Sequence, residues 1–277
     1  MFRINLYLSV KIFLKSLFSK YSKVNENKSL NVLKKISNKK YSLFTPLCRV
    51  SFMLILMFMK SKYNKKKEII MSPYNLPEMI NVANNLRYKV VYADINHKTG
   101  FFDIKKLSKK INKRTCAILV TNMFNTYEDS KKIKKICIRK KIFLIEDNAI
   151  YFDNYCKKGK SKFNSGSLGD FSIYSFNIMK NISALFGGAV TTNNLEFYHY
   201  ANRKMDSFNK FPIQLLFKQS IIFLILKILS IGFLYKIFFF RIIKIAHIYD
   251  IRFLLKLFYP SLKFKRIKFP NYYFSKM

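Results

Sequence analysis

Hydrophobic residues along the chain fall into short apolar runs, which alternate with polar stretches that carry apolar residues every three or four positions. The short runs predict buried strands, and the periodic stretches predict helices. Predicted strands are 68–72, 88–93, 116–121, 142–145 and 189–192, and predicted helices are 51–60, 77–86, 103–111 and 130–139. Strands that alternate with helices in this way predict an α/β fold with a mostly parallel sheet.

Polar residues follow two of these strands directly. Asp147 comes after the predicted strand that ends at residue 145, and a polar loop follows Thr121. Ligands of parallel α/β sheets bind outside the carboxyl ends of the strands. The pattern therefore predicts a binding site at this edge of the sheet.

The composition changes after about residue 211. Residues 213–248 are dominated by Ile, Leu and Phe, interrupted by single basic residues. Because charges break every 18-residue window, the pattern favours an interfacial helical hairpin at a membrane surface. Burial against another subunit or domain and a true span are the alternatives. We predict three regions: a basic leader (1–41), a main domain (42–210) and a hydrophobic, basic segment (211–277).

Charge is the most unusual property of the composition. The 277 residues include 52 Lys+Arg and 14 Asp+Glu, a formal net charge of +38. Such a charge suits nucleic acid or an anionic membrane. The abundance of Lys, Ile, Asn, Phe and Tyr, with no Trp and 7 Gly, also fits simple codon bias. Since basic residues are spread along the chain, we do not predict a nucleic-acid partner.

Cysteine and histidine placement predicts neither a metal site nor disulfides. No two of the four cysteines form a Cys-x-x-Cys pair, and no histidine stands near them at metal-ligand spacing. The first residues lack the pattern of a secretory signal. We therefore expect a cytoplasmic protein, acting at the inner face of a membrane if the C-terminal segment binds lipid.

One ordered set of motifs carries candidate chemistry. A strand ends in Glu146-Asp147, a Gly-Ser-x-Gly-Asp motif runs from Gly166 to Asp170, Ser-Phe-x-x-x-Lys ends at Lys180, and Gly187-Gly188 precedes a strand. A carboxylate, a serine and a lysine in this order, at strand ends, suit a pyridoxal phosphate pocket.

The ordered set resembles the DegT/DnrJ/StrS family of sugar aminotransferases. The resemblance implies the large domain of a fold-type I pyridoxal phosphate enzyme, with the small C-terminal domain missing. It implies that Lys180 binds the cofactor covalently and acts in catalysis, that Asp147 pairs with the ring nitrogen, and that Ser175 contacts the phosphate. Asn181 is expected to order the lysine loop.

The expected phosphate-binding turn departs from the family pattern. Arg49 and Ser51 are predicted to contact the phosphate, although Cys48 stands where the family has glycine. Ile150 replaces a polar residue that follows the aspartate in the family.

The resemblance implies a homodimer that transfers an amino group, commonly from glutamate, to a keto-sugar nucleotide for surface polysaccharide such as lipopolysaccharide. The alternative is a non-catalytic remnant of the fold that binds membrane or a partner through its C-terminal segment.

Overall fold

The protein is described by a computed structural model that covers most of the chain. The described residues are 6–18, 22–122, 130–150, 156–158, 161–164, 166–210, 212–254 and 272–273. Most of the predicted C-terminal segment beyond residue 254 lies outside them.

Eleven strands are found among the described residues. They are β1 (Tyr41–Thr45), β2 (Glu68–Met71), β3 (Lys89–Tyr92), β4 (Thr115–Thr121), β5 (Phe143–Asp147), β6 (Cys156–Lys158), β7 (Ser161–Phe163), β8 (Phe171–Ser175), β9 (Gly188–Thr192), β10 (Asn209–Lys210) and β11 (Tyr272–Tyr273). Seven of them form the central sheet in the order β1-β9-β8-β5-β4-β2-β3. Only β9 runs antiparallel to its neighbours within that sheet. The prediction of a mostly parallel sheet is confirmed.

Helices connect and cover the strands. They are α1 (Val10–Leu17), α2 (Lys23–Ser37), α3 (Cys48–Lys62), α4 (Pro77–Asn85), α5 (Ile104–Lys110), α6 (Ser130–Lys140), α7 (Leu195–Asp206), α8 (Ile213–Leu229), α9 (Gly232–Leu234) and α10 (Phe240–Ile248), with a π-helix at Tyr235–Phe239. All five predicted strands and all four predicted helices are present, with ends that differ by a few residues. No bounds were predicted for β1 or β8, although Ser175 was expected at a strand end.

The core forms two apolar layers on opposite faces of the sheet. Because successive strand residues point to opposite faces, Ile69 packs in the layer that contains α3, whereas Ile70 packs in the layer beside α5 and α6. Leu54, Ile55 and Leu56 of α3 are fully buried. Each such side chain stabilises the fold by about 1.5–3 kcal/mol relative to exposure. This burial fixes the start of α3 against the sheet edge.

The helices from α8 to α10 form a bent pair. Within the described residues, no single helix is long and apolar enough to cross a membrane. In the same part of the chain, a membrane span's length and apolar composition are reached only by Ile213–Leu229 and Gly232–Ile248 taken together, and the chain bends by 84° between them.

Candidate functional site

Four strand ends meet at one edge of the central sheet. Asp147 ends β5 and pairs with Ile173 of β8. Ser175, two residues further along β8, pairs with Gly188 at the start of β9, and Gly188 also pairs with Thr45 at the end of β1. The predicted carboxylate and serine therefore lie on neighbouring strands at the carboxyl edge, as the sequence pattern indicates.

Asp147 carries a buried carboxyl group at this edge. The residue is 2% exposed, and its Oδ1 accepts a hydrogen bond of 2.9 Å from the Ala149 N–H. Burial raises the pKa of Asp147 from 3.8 to about 6, while the Ala149 hydrogen bond and the Lys180 charge oppose the rise. A cation beside this carboxylate would lower its pKa again and favour the ionised form.

Lys180 lies on the irregular segment between β8 and β9. Its N–H donates to the Asn177 carbonyl at 2.9 Å, which closes a turn. Burial lowers the pKa of the Lys180 amine, and the Asp147 carboxylate acts in the opposite direction. The two side chains that the sequence selects for cofactor chemistry are thus close enough for their charges to interact.

The start of α3 reaches the same edge because Gly188 leaves room for it. A Cβ atom at Gly188 would lie 2.4 Å from the Cys48 nitrogen, a distance that backbone atoms cannot tolerate. The residue before the helix is Leu47, whose apolar side chain cannot cap the first amides. A helix start is a favourable place for an anion.

The other predicted residues occupy different positions around α3 and the lysine segment. Arg49 is half-buried in the first turn of α3. Ser51 is fully buried, and its hydroxyl lies 2.7 Å from Thr45 Oγ1. Ser175 and Asn181 are half-buried, at the end of β8 and directly after Lys180. Their assigned roles stay predictions.

The Gly-Ser-x-Gly-Asp motif builds a turn beneath the site. Glu146 Oε2 accepts hydrogen bonds from the N–H groups of Leu168 and Gly169, at 3.0 and 2.5 Å. Asp170 pairs with Lys134 at 2.5 Å and accepts from the Leu144 N–H at 2.8 Å. These carboxylates fix the strand that ends in Asp147.

Sequence reasoning missed two contributors. The Lys39 amine donates to the carbonyls of Ser167 and Gly169, at 2.9 and 2.6 Å, and its charge acts on Glu146. Nothing in the local pattern distinguishes Lys39 from the rest of the 52 Lys+Arg residues. The Cys48 thiol has its pKa raised by burial and by Asp147, and lowered by Lys180. The sequence signal that could have indicated Cys48 as part of the site is its place in the phosphate-binding turn, where the family has glycine.

Metal ligands are not gathered in this region. Across the described part of the chain, no group of three or more His, Cys, Asp or Glu residues is placed to hold a metal ion. Cys48, Cys116 and Cys137 are free thiols.

Comparison with known proteins identifies the family. The sequence model of the DegT/DnrJ/EryC1/StrS aminotransferase family matches residues 21–211, which is more than half of the chain. The chain belongs to this family. Among family members, GDP-4-keto-6-deoxy-D-mannose 3-dehydratase of Yersinia pseudotuberculosis is 29% identical over 143 residues, covering 50% of this chain and 35% of that protein. GDP-perosamine synthase of Escherichia coli O157:H7 is 27% identical over 131 residues, covering 47% of this chain and 35% of that protein.

Solved structures agree with the family fold. PseC of Helicobacter pylori, an aminotransferase involved in the biosynthesis of pseudoaminic acid, superposes with a TM-score of 0.63 at 22% identity. The match covers 73% of this chain and 54% of PseC. At this identity the likeness shows the fold-type I architecture alone. The chain spans about a third of the length of the curated DegT/DnrJ/EryC1/StrS relatives that it matches.

Proposed function

We propose that this chain binds pyridoxal phosphate at the edge where Asp147, Lys180 and the start of α3 meet. We propose further that it transfers an amino group, commonly from glutamate, to a keto-sugar nucleotide for surface polysaccharide. The observation that carries the proposal is a buried carboxylate whose charge acts on a partly buried lysine amine. Support for the substrate class comes from relatives that are named for GDP-linked sugars.

The donor set fits the cofactor in three places. Asp147 is buried and ionises most readily beside a cation, so its carboxylate suits a protonated ring nitrogen. The helix start at Leu47–Cys48 and the guanidinium of Arg49 suit the phosphate. The hydroxyl of Ser175 lies at the adjacent strand end. When bound, the cofactor supplies an electron sink to the reacting carbon.

Lys180 has the chemical properties of a proton carrier. Burial lowers the pKa of its amine, so a larger fraction of Nζ is neutral at physiological pH than for an exposed lysine. A neutral amine can accept a proton from a substrate carbon and return it elsewhere, which is general acid–base catalysis. Asn181 follows Lys180 and is proposed to order the segment. Ser51, which bonds Thr45, is proposed to support the phosphate-binding turn from behind.

A specific observation favours the alternative of a non-catalytic remnant. The Cys48 side chain lies near Asp147 and Lys180, at the position where the family has glycine. Ile150 likewise has no polar group to offer a cofactor. The two functions differ in whether Lys180 forms a covalent bond with pyridoxal phosphate.

Absorption spectroscopy separates these functions. We expect the purified chain mixed with pyridoxal phosphate to develop a visible absorption band that borohydride reduction fixes to Lys180. Lys180→Ala should abolish both signals, whereas Lys109→Ala, which changes an exposed lysine of α5, should leave them intact. A folded wild type without the band supports the remnant and rejects the enzyme. A band that persists in Lys180→Ala rejects the assignment of Lys180.

Assembly and location form the remaining part of the proposal. We propose a homodimer at the inner face of a membrane, with peripheral lipid contact through the hydrophobic segment 211–277. The support is family membership for the dimer, and the basic, apolar composition of α8–α10 for the contact. Sedimentation at several protein concentrations tests pairing; a mass that stays monomeric rejects it.

A further inference from the structure

The segment that carries Lys180 depends on packing from outside the sheet. Residues 176–187 are irregular, and within them Leu185 adopts a left-handed backbone with φ of 65°. A bulky residue in this region costs about 1–3 kcal/mol and persists only where the surroundings fix it. Leu185 is 5% exposed, so the contacts of its side chain offset the backbone cost.

Those contacts come from the N-terminal helix and from α8. They form an apolar cluster whose buried members are Leu6, Phe13, Ile178, Leu185 and Phe223. The rings of Phe13 and Phe223 lie 4.8 Å apart. The Lys227 amine donates to the carbonyls of Leu6 and Leu8, at 3.0 and 3.2 Å. The inner faces of α1 and α8 are therefore joined to each other and to the Lys180 segment.

The outer faces of the same two helices are apolar and exposed. Spaced three or four positions apart, the exposed residues are Val10, Leu14 and Leu17 on α1, and Phe217, Ile221, Leu224, Ile225 and Ile228 on α8. We call these eight residues the outer apolar face. Basic residues flank it at Lys11, Lys15 and Lys218, and the ranges 6–18 and 213–249 contain no acidic residue.

Charge and shape together select the occupant of this face. A helix with a continuous apolar stripe and only basic charges around it suits the headgroup region of an anionic membrane. A protein partner of ordinary composition would need an acidic rim to match. Within the described structure, Ser220 and Phe223 are the only buried residues of α8. Leu216, Ile222 and Leu226 pack partly against the apolar cluster, and the rest of this largely apolar helix is left to face lipid.

We propose that the outer apolar face binds an anionic lipid surface and that this contact holds the Lys180 segment in its ordered position. The inference deepens the lipid contact proposed above for the segment 211–277, and it rests on the proposed enzyme only in taking Lys180 as the residue that holds the cofactor. A ligand that binds only the state in which α1 and α8 pack on the Lys180 segment stabilises that state. The stabilisation grows with the ratio of the free ligand concentration to the dissociation constant. Membrane binding therefore favours the arrangement in which Lys180 stands beside Asp147.

Hydrogen exchange on the full chain without cofactor tests the inference. The chain is incubated alone, with phosphatidylcholine vesicles, and with vesicles that contain phosphatidylglycerol. We expect the chain to float with the anionic vesicles and the amides of residues 178–186 to exchange more slowly there. The slowing can reach about 100-fold at a lipid concentration near 100 times the dissociation constant.

Two phenylalanines of α8 give a matched pair of variants. Phe217→Ala changes an exposed side chain, 69% accessible, and should weaken vesicle binding while leaving exchange in free protein unchanged. Phe223→Ala removes the inner contact and should speed exchange of 178–186 while flotation persists. In Phe223→Ala, anionic vesicles should no longer slow the exchange of residues 178–186.

Three results would overturn the inference. They are flotation that does not require anionic lipid, anionic vesicle binding with unchanged exchange in 178–186, and protection that depends on protein concentration instead of vesicles. The last result would assign the outer apolar face to a second copy of the chain. Since no cofactor is present in these measurements, a missing absorption band would reject the proposed enzyme without affecting this outcome.

Discussion

Asp147→Asn should make the cofactor-free protein more stable near neutral pH. The buried carboxyl has its pKa raised from 3.8 to about 6, with burial as the largest cause. The folded protein therefore holds the proton more tightly than the unfolded chain does. Stability from this group is full below pH 3.8 and is lost as the pH rises through about 6. Asparagine has nearly the same shape, carries no charge and can still accept from the Ala149 N–H.

The size of the effect follows from the two pKa values. A tenfold change in proton affinity corresponds to about 1.4 kcal/mol. The rise from 3.8 to about 6 then corresponds to about 3 kcal/mol of unfolding free energy above neutral pH. Glu146 also has its pKa raised by burial, so the wild-type curve contains both groups. The difference between variant and wild type removes the shared contribution of Glu146 and leaves that of Asp147 with its Lys180 interaction.

Urea unfolding of both proteins without cofactor, from about pH 4 to about pH 8, measures this difference. We expect it to be small at the acid end and to grow towards the neutral end in favour of the variant. The same variant should lose affinity for pyridoxal phosphate, because the amide cannot neutralise a protonated ring nitrogen. A variant that is equally or less stable near neutral pH, or a gap that does not change with pH, would show that burial of this carboxylate is not costly.

Two further substitutions test the framework of the site. Gly188→Ala should cost about 1–3 kcal/mol of stability and abolish cofactor binding, because the new Cβ would meet the Cys48 nitrogen at 2.4 Å. Gly232→Ala, where no described heavy atom lies within 4 Å, should be neutral in the same urea titration. Equal losses of stability in the two variants would refute the steric argument. Glu146→Ala should cost at least about 1–3 kcal/mol, since it removes the acceptor of the half-buried Leu168 N–H and the buried Gly169 N–H. Glu196→Ala, which breaks the exposed ion pair with Lys62, should cost less than about 1 kcal/mol, so a loss no larger for Glu146→Ala contradicts the role of Glu146.

The sequence predicts most of the fold because the inner parallel strands β2, β4 and β5 are buried on both faces. Strands such as β4 (Thr115–Thr121) therefore read as continuous apolar runs. The unpredicted β1 and β8 contain several polar residues, among them Ser42, Thr45 and Ser172. Their hydroxyls have hydrogen-bond partners in the protein, such as the Leu30 carbonyl for Ser42 and the Leu47 carbonyl for Thr45. Polar residues with hydrogen-bond partners interrupt the apolar run that predicts a strand, but they do not destabilise the strand itself.

The candidate site is harder to predict than the fold because two adjacent carboxylates end β5. The family resemblance selects Asp147, but the residue pattern by itself does not distinguish it from Glu146, and the structure supplies the physical difference. Successive strand residues point to opposite faces, and Glu146 points to the turn at 166–170, where two backbone N–H groups bind its Oε2.

Asp147 points to the carboxyl edge. Among the described residues, its carboxylate accepts one hydrogen bond, from Ala149. A buried carboxylate that accepts several hydrogen bonds stabilises a turn, whereas one that accepts few remains available to a ligand. The difference in hydrogen bonding between these neighbours is thus the physical reason to assign Asp147, and not Glu146, to the cofactor.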